Sequence, residues 1–484
     1  MLCENFLKER EFMKRFFTCL LVAVMCVITS FSLFGCSPKF TGFSNDTSKV
    51  VSNSGIAVEY DGYLYFINGT KTTSESANIG NIVQGAIYKV KLNSDGSVNY
   101  SDAEKEEDKE LTEVSKVVNA LVGFDEGSIH IFGNYLYYVT TSNAQNSDAE
   151  VLFGQFEFAR IDLISGATET FYTTKTSDDT VSYAYYMNGD NIDFVIYEKN
   201  SKLLTSLSIN DSITQNFVKE DVESALFSER YGISAKTTSS RVFDDADCYI
   251  YYTLKADPVG EFPDGNIVRY ATSDGEFDEV LNEANESISL LTIRAGKLIY
   301  TVNDYIFADT INDETRKLNY NIDNVENFRN ILSYVSYDNV MFVEEENGSI
   351  TLLVYDGSEI KFISWTKDYP NLTEETIYDF GSSSVKVAFI GLDGDYLVMT
   401  VDGLVNKIKV FNATGSEEIV PIKLTTTKFV DAKELMCPKI VGNYVYGFVS
   451  ESSNNYMYRV SLEIPEGSEV EKAEFIGEKV EEKK

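Results

Sequence analysis

Hydrophobic and polar positions alternate along most of this chain in short runs, each bounded by a turn signal. One such run is Asp61-Gly62-Tyr63-Leu64-Tyr65-Phe66, followed by Ala86-Ile87-Tyr88-Lys89-Val90-Lys91-Leu92. A second is Gly133-Asn134-Tyr135-Leu136-Tyr137-Tyr138, followed by Phe158-Ala159-Arg160-Ile161-Asp162-Leu163. A third is Gly442-Asn443-Tyr444-Val445-Tyr446, followed by Tyr456-Met457-Tyr458-Arg459-Val460-Ser461-Leu462. Period-two patterning with aromatic and β-branched residues predicts strands. Weaker copies centre on Ile192, Ile250, Leu298, Val340 and Leu397. Aligning the aliphatic residue of every copy gives positions 64, 136, 192, 250, 298, 340, 397 and 445, spaced by 72, 56, 58, 48, 42, 57 and 48 residues. A recurring unit of this size, rich in short strands, marks a propeller blade. A lone four-stranded sheet cannot bury both faces, whereas a ring of sheets buries each face against its neighbours. The prediction is all-β: a single β-propeller of eight four-stranded blades over residues 54–476, with seven blades as the alternative.

Polar stretches account for the longer units. Ser101 to Glu110 and Ser142 to Glu150 read as surface loops. Asp221 to Tyr231 reads as a short helix with Val222, Ala225 and Leu226 on one face. Asp-Gly pairs at 61–62, 95–96, 264–265, 274–275, 356–357, 393–394 and 402–403 suit hairpin turns. Residues 36–53 read as a lipidated cysteine and flexible polar tether, and 477–484 as a charged tail.

The turn and Tyr-Leu-Tyr-Tyr strand, followed by Tyr-Arg-Val or Tyr-Lys-Val, resemble the repeat of extracytoplasmic propeller lipoproteins of Gram-positive bacteria. That repeat is an uncharacterised relative of TolB-like and WD40-like blades. The resemblance covers about residues 54 to 476. It implies a propeller and supplies no catalytic residues.

The N-terminus changes the picture by giving an address. Lys14 and Arg15 precede an uncharged stretch from Phe16 to Phe34, and Leu33-Phe34-Gly35-Cys36 follows. A basic start, an apolar run and a small residue at the cleavage point define a secretory signal over residues 1–35. Met13 would place the basic pair directly after an initiator; residues 1–12 then read as an upstream misread or a long n-region. Cys36 after Gly35 resembles the lipobox of bacterial lipoproteins, which implies lipidation of Cys36 and cleavage before it. Phe34 is larger than the lipobox residue usual there. The expected location is the extracytoplasmic side of the cell membrane, where two acyl chains hold a protein stably. The alternative is an uncleaved spanning helix of ~20 residues.

The whole chain carries 41 basic and 76 acidic residues, a net charge of −35. Without residues 1–35 it has 37 basic against 73 acidic groups, a net of −36. Nucleic acid, which needs a basic footprint, is excluded as a partner, as is flat docking on anionic lipid. Four of the six cysteines lie at or before position 36, so a disulfide scaffold is excluded. Cys248 and Cys437 fall in copies four and eight, opposite each other in an eight-blade ring, and are expected to be unlinked.

Little catalytic chemistry is legible. His130 is the single histidine, in the alternating strand Ser128-Ile129-His130-Ile131-Phe132. A packing role with a hydrogen bond to the next blade is expected there, with no Ser-His or Cys-His nucleophile system. No G-x-S-x-G elbow, C-x-x-C zinc pattern or P-loop occurs. Asp244, Asp245, Asp247, Asp393 and Asp395 lie at turns, where Asp is selected for backbone reasons. No cofactor is expected; Ca²⁺ at one of these turns is the open alternative. Trp365 and the tyrosines read as inter-blade packing or as a sugar-stacking surface. The expected function is non-enzymatic binding of a protein or glycan, with a carboxylate-based glycoside hydrolase or lyase as the alternative.

Overall fold

The structure is a computed structural model that describes residues 40–42, 50–67, 70–71, 78–79, 82–83, 87–98, 112–115, 129–145, 151–176, 180–188, 191–227, 249–254, 266–271, 275–282, 288–294, 297–302, 305–309, 311–312, 315–318, 339–344, 350–366, 369–411, 419–425, 436–451, 454–463 and 474–475. These residues form an eight-bladed propeller without helices. Each blade is an antiparallel meander in chain order. Blade 1 comprises Ala57–Tyr60, Tyr63–Ile67, Ile87–Lys91 and Thr112–Ser115, and blade 2 comprises Ile129–Phe132, Tyr135–Gln145, Val151–Asp162 and Thr168–Thr173. Blade 8 closes the ring with Met436–Val441, Tyr444–Glu451, Asn454–Ser461 and Glu474–Phe475. Blade 5 has three described strands, beside which lies a small hairpin, Ile311–Asn312 and Lys317–Leu318. First strands touch between blades 1 and 2, 4 and 5, 5 and 6, 7 and 8, and 8 and 1, so they line the centre and the last blade closes on the first.

Turn chemistry accounts for the hairpins. Asp61-Gly62 and Asp402-Gly403 have positive φ at both residues, as a two-residue turn matched to strand twist requires. Tyr60 pairs with Tyr63 across the first, and Val401 with Leu404 across the second.

Three expectations need correction. Val222–Phe227 is the first strand of blade 4, not a helix. A register shift between Val222 and Ser224 breaks its alternation, which is why its apolar residues mimic a helical spacing. Such a short segment is a poor helix nucleus, and the ladder with Tyr249–Leu254 decides its conformation. The sixth repeat copy is displaced by one strand. Val340–Glu344 is a first strand, and the second strand is Ile350–Tyr355, so Leu352, which packs toward blade 5 and pairs with Ile363, is the counterpart of Leu64. The spacings on either side become 54 (from 298 to 352) and 45 (from 352 to 397), more even than 42 and 57. Finally, the polar segment before residue 54 is tied to the propeller. Val50–Gly55 adds a fifth strand to blade 2, antiparallel to Ile129–Phe132, and Thr41 docks on the same blade. The unpaired inner edge of Ile129–Phe132 offers a ladder that overrides weak local propensity.

Candidate functional site

The register of the repeat makes the blades comparable residue by residue. In blades 2 and 8, the third-strand arginine sits opposite the second tyrosine of Tyr-x-Tyr: Arg160 opposite Tyr137, and Arg459 opposite Tyr446. Both arginines are buried. Arg160 lies 4.7 Å from the centre of the Tyr135 ring and donates to the Asn210 carbonyl of blade 3 at 2.6 Å. Arg459 lies 4.0 Å from the Tyr444 ring and donates to the Gly96 carbonyl of blade 1 at 3.0 Å. Lys407 of blade 7 does the same, 5.0 Å from the Tyr396 ring and 2.7 Å from the Leu462 carbonyl of blade 8. In these three blades the third-strand basic residue is therefore a staple. It stacks on its own blade and bonds a carbonyl past the third strand of the next.

The hairpins joining first to second strands and those joining third to fourth lie on one face, because antiparallel strands reverse direction at each turn. Backbone bonds repeat this arrangement: Leu92 N to Gly62 O, Leu163 N to Asn134 O, Val410 N to Asp395 O and Leu462 N to Asn443 O. On this hairpin face, at the seam of blades 8 and 1, lies a cavity of about 500 Å³. Glu59, Tyr60, Asp61, Asn93, Asp95 and Tyr444 line it.

Glu59 is the anomaly. It pairs with Leu64, the second residue of its blade's second strand. The residues at the same ladder position in blades 2 to 8 are Ile131, Met187, Phe227, Ile293, Phe342, Leu392 and Ile440. Seven apolar residues and one glutamate occupy equivalent places. Burial raises the Glu59 carboxyl above its ordinary range; the Arg459 guanidinium and a hydrogen bond from Tyr446 pull it back in part. Gly442, at φ 55°, makes room, since a Cβ there would stand 3.1 Å from Glu59 Oε2. Asp95, at the exposed lip, is held below the usual carboxylate range by Ser97, whose hydroxyl and backbone N–H both donate to it. Glu59 was not singled out by the sequence reading. Aligning the residues before each hairpin turn, as well as those after it, would have exposed it.

The residues expected from sequence are scattered. His130 is buried at the seam of blades 2 and 3, with Nε2 3.2 Å from the Tyr183 hydroxyl of blade 3 and its ring parallel to Phe132. It packs among the rings of Phe132, Tyr183 and Tyr185. Asp393 is buried at the end of blade 7's first strand, 3.9 Å from Lys407 Nζ, and the Asp395 carbonyl accepts from Val410 and Phe411. Cys36, Asp244, Asp245, Asp247 and Cys248 lie outside the described residues, as do the side chains of Cys437 and Trp365. Among the described residues no group of three or more His, Cys, Asp or Glu is placed to hold a metal. Nor, among them, is any helix long and apolar enough to cross a membrane.

No family model matches the sequence, and no curated protein matches it. Solved structures do. Dipeptidyl peptidase 4 of Porphyromonas gingivalis aligns over 87% of this chain and 59% of its own, with 10% identity and a TM-score of 0.42. A puromycin-hydrolyzing peptidase of Mycobacterium tuberculosis aligns over 87% and 61%, with 9% identity and a TM-score of 0.34. A Lactobacillus plantarum protein aligns over 86% and 97%, with 10% identity and a TM-score of 0.34. The chain thus spans about three-fifths of the length of these two peptidases. Each is a likeness at an identity too low to carry chemistry across.

Proposed function

We propose that this protein is an extracytoplasmic lipoprotein, held in the membrane through Cys36, and that its propeller is a non-enzymatic binding module for a protein or glycan. The cavity at the seam of blades 8 and 1 is its ligand site. The observation that carries this reading is Glu59, a carboxylate at a ladder position that is apolar in the seven other blades, facing a cavity of about 500 Å³. Packing alone would favour an aliphatic residue there, and a half-buried acid with a raised pKa facing a cavity is the pattern of a binding site. With Asp61 and Asp95 beside it, the cavity disfavours anions and suits a cationic or neutral polar group. The rings of Tyr60 and Tyr444 give such a ligand an apolar surface.

A pull-down from solubilised membranes, paired with a glycan array, identifies the ligand, and Glu59→Gln should weaken its binding at least ~10-fold. Equal binding by parent and variant would remove the cavity from the proposal. Hydrolysis of a captured glycan, lost in Glu59→Gln, would move the reading to a glycoside hydrolase, which needs a second acid ~5–9 Å away. For the anchor, mass spectrometry of the native membrane fraction should find Cys36 as an acylated N-terminal residue, and Cys36→Ala should abolish processing. An intact, unmodified Cys36 would defeat it.

A further inference from the structure

We infer that the propeller is held with its hairpin face toward the membrane, so that the Glu59 cavity opens into the gap between protein and bilayer. This inference rests on the lipid anchor proposed at Cys36. Its basis is a clamp on the segment that follows. The Asp162 carboxylate, buried at the end of blade 2's third strand, accepts from Thr41 N at 2.7 Å and from Thr41 Oγ1 at 2.8 Å. Asn134 Nδ2, in blade 2's first hairpin, donates to Thr41 Oγ1 and to the Gly42 carbonyl, both at 3.1 Å. The Phe40 ring lies 5.8 Å from the Tyr135 ring and 5.4 Å from the Arg160 guanidinium carbon. Burial alone would raise the Asp162 carboxyl; bonds from Thr41, Ile164 and Ser165 bring it down to about 2, so the clamp is ionised at any ordinary pH.

Every part of this clamp sits on the hairpin face. That face is shared with the cavity, since the Tyr60 hydroxyl of blade 1 bonds the Gly133 carbonyl of blade 2's hairpin. Five residue steps lead from Cys36 to Thr41 and span at most ~18 Å. The opposite face lies a strand length farther: the eight residues Asn191–Glu198 measure ~25 Å and lead to the Lys199 turn. Ile164, in the turn whose N–H donates to Asp162, is 72% exposed, more than the other exposed large apolar side chains among the described residues. An apolar tip beside the anchor suits a surface held against the interface. Ligands of the cavity are then those presented close to the bilayer.

Full-length lipidated protein, reconstituted in phosphatidylcholine vesicles with an acceptor dye on a fraction of headgroups, tests this. A donor fluorophore introduced by amber suppression at Ser94, on the hairpin face, should transfer at least twice as efficiently as one at Lys199. Thr41→Pro deletes both donors to Asp162 without entering the propeller, and the two positions should then converge. Equal transfer from both positions in parent protein, with acylated Cys36 verified by mass, would overturn the orientation while leaving the anchor intact. Unacylated Cys36 would remove the anchor and the orientation with it, and is read separately by the same mass measurement.

Discussion

The seam between blades 2 and 3 and the seam between blades 8 and 1 are built on the same plan and filled differently. Each is crossed by a buried arginine stacked on a tyrosine and bonded to a carbonyl of the following blade. At the first seam the space beneath is filled with rings, among them Phe158, Tyr183, Tyr185 and Phe194, with centroids 5.0 to 6.1 Å apart. At the second, the ladder position occupied by Met187 on the first strand of blade 3 holds Glu59 on that of blade 1, and a cavity opens above it. Arg160 is compensated by Glu169 at 2.5 Å, a partly exposed partner on its own blade. Arg459 instead faces Glu59, so its charge is shared between holding the ring closed and holding an acid in the cavity. The difference is confined to the filling: the fastening is kept, and a polar group stands where the other seam has an apolar residue.

The largest expected effect breaks the fastening itself. Arg459→Ala and Arg160→Ala should each lower stability by about 3 kcal/mol, because each leaves a stacked tyrosine, an unbonded carbonyl and a carboxylate without its cation. The seams should then part company. Adding Glu59→Gln to Arg459→Ala should recover about 1 kcal/mol, since the stranded acid is half-buried. Adding Glu169→Gln to Arg160→Ala should recover nothing measurable, since Glu169 can be solvated. Urea unfolding of the four variants reads both outcomes. Rescue at both seams or at neither would mean that the two arginines do the same work.

Much of this was legible in the chain. The copies at Leu64, Leu136 and Val445 carry strong turn and aromatic signals, and each begins a second strand where expected. The eight-blade count follows from them and from the weaker copies. The copy in blade 6 was displaced because its second strand, Ile350–Tyr355, carries Leu352 at the aliphatic position but lacks the flanking tyrosines of the motif, so the pattern matched the preceding strand instead. The docking of Thr41 on Asp162 was illegible, since a polar segment without periodicity gives no sign of which distant carboxylate will receive it. The cavity was hidden for a different reason. Glu59 sits in an otherwise ordinary alternation, Val58-Glu59-Tyr60, and is unusual only against the seven ladder counterparts that the structure aligns.

A smaller effect sharpens the aromatic side of the comparison. His130→Gln should fold and lose only about 1 kcal/mol, the stacking on Phe132 and Tyr185, because the glutamine amide can still reach the Tyr183 hydroxyl. Ligand capture should be unchanged, since the cavity is at another seam. A serine- or cysteine-directed activity probe that labels the parent and not this variant would instead make His130 a catalytic base.

The smallest effect has an unusual sign and falls on Glu59 alone. Its carboxyl titrates above its unfolded value of about 4.3, so the folded state binds this proton more readily than the unfolded chain. A raised acid is a penalty on the ionised native state. The penalty is complete at pH values above the raised pKa, shrinks as pH falls through it, and is gone below about 4.3, where both states are protonated. Glu59→Gln mimics the protonated form and keeps an oxygen for the Tyr446 hydroxyl. At pH 7 it should therefore be more stable than the parent, by about 0.5 kcal/mol, and the gap should close on acidification to pH 4. Thermal unfolding of the pair between pH 4 and pH 7 reads this directly. A variant less stable than the parent at neutral pH would mean that Glu59 is held for its pairing with Arg459, and the seam would then differ from that of blades 2 and 3 in fastening rather than in function.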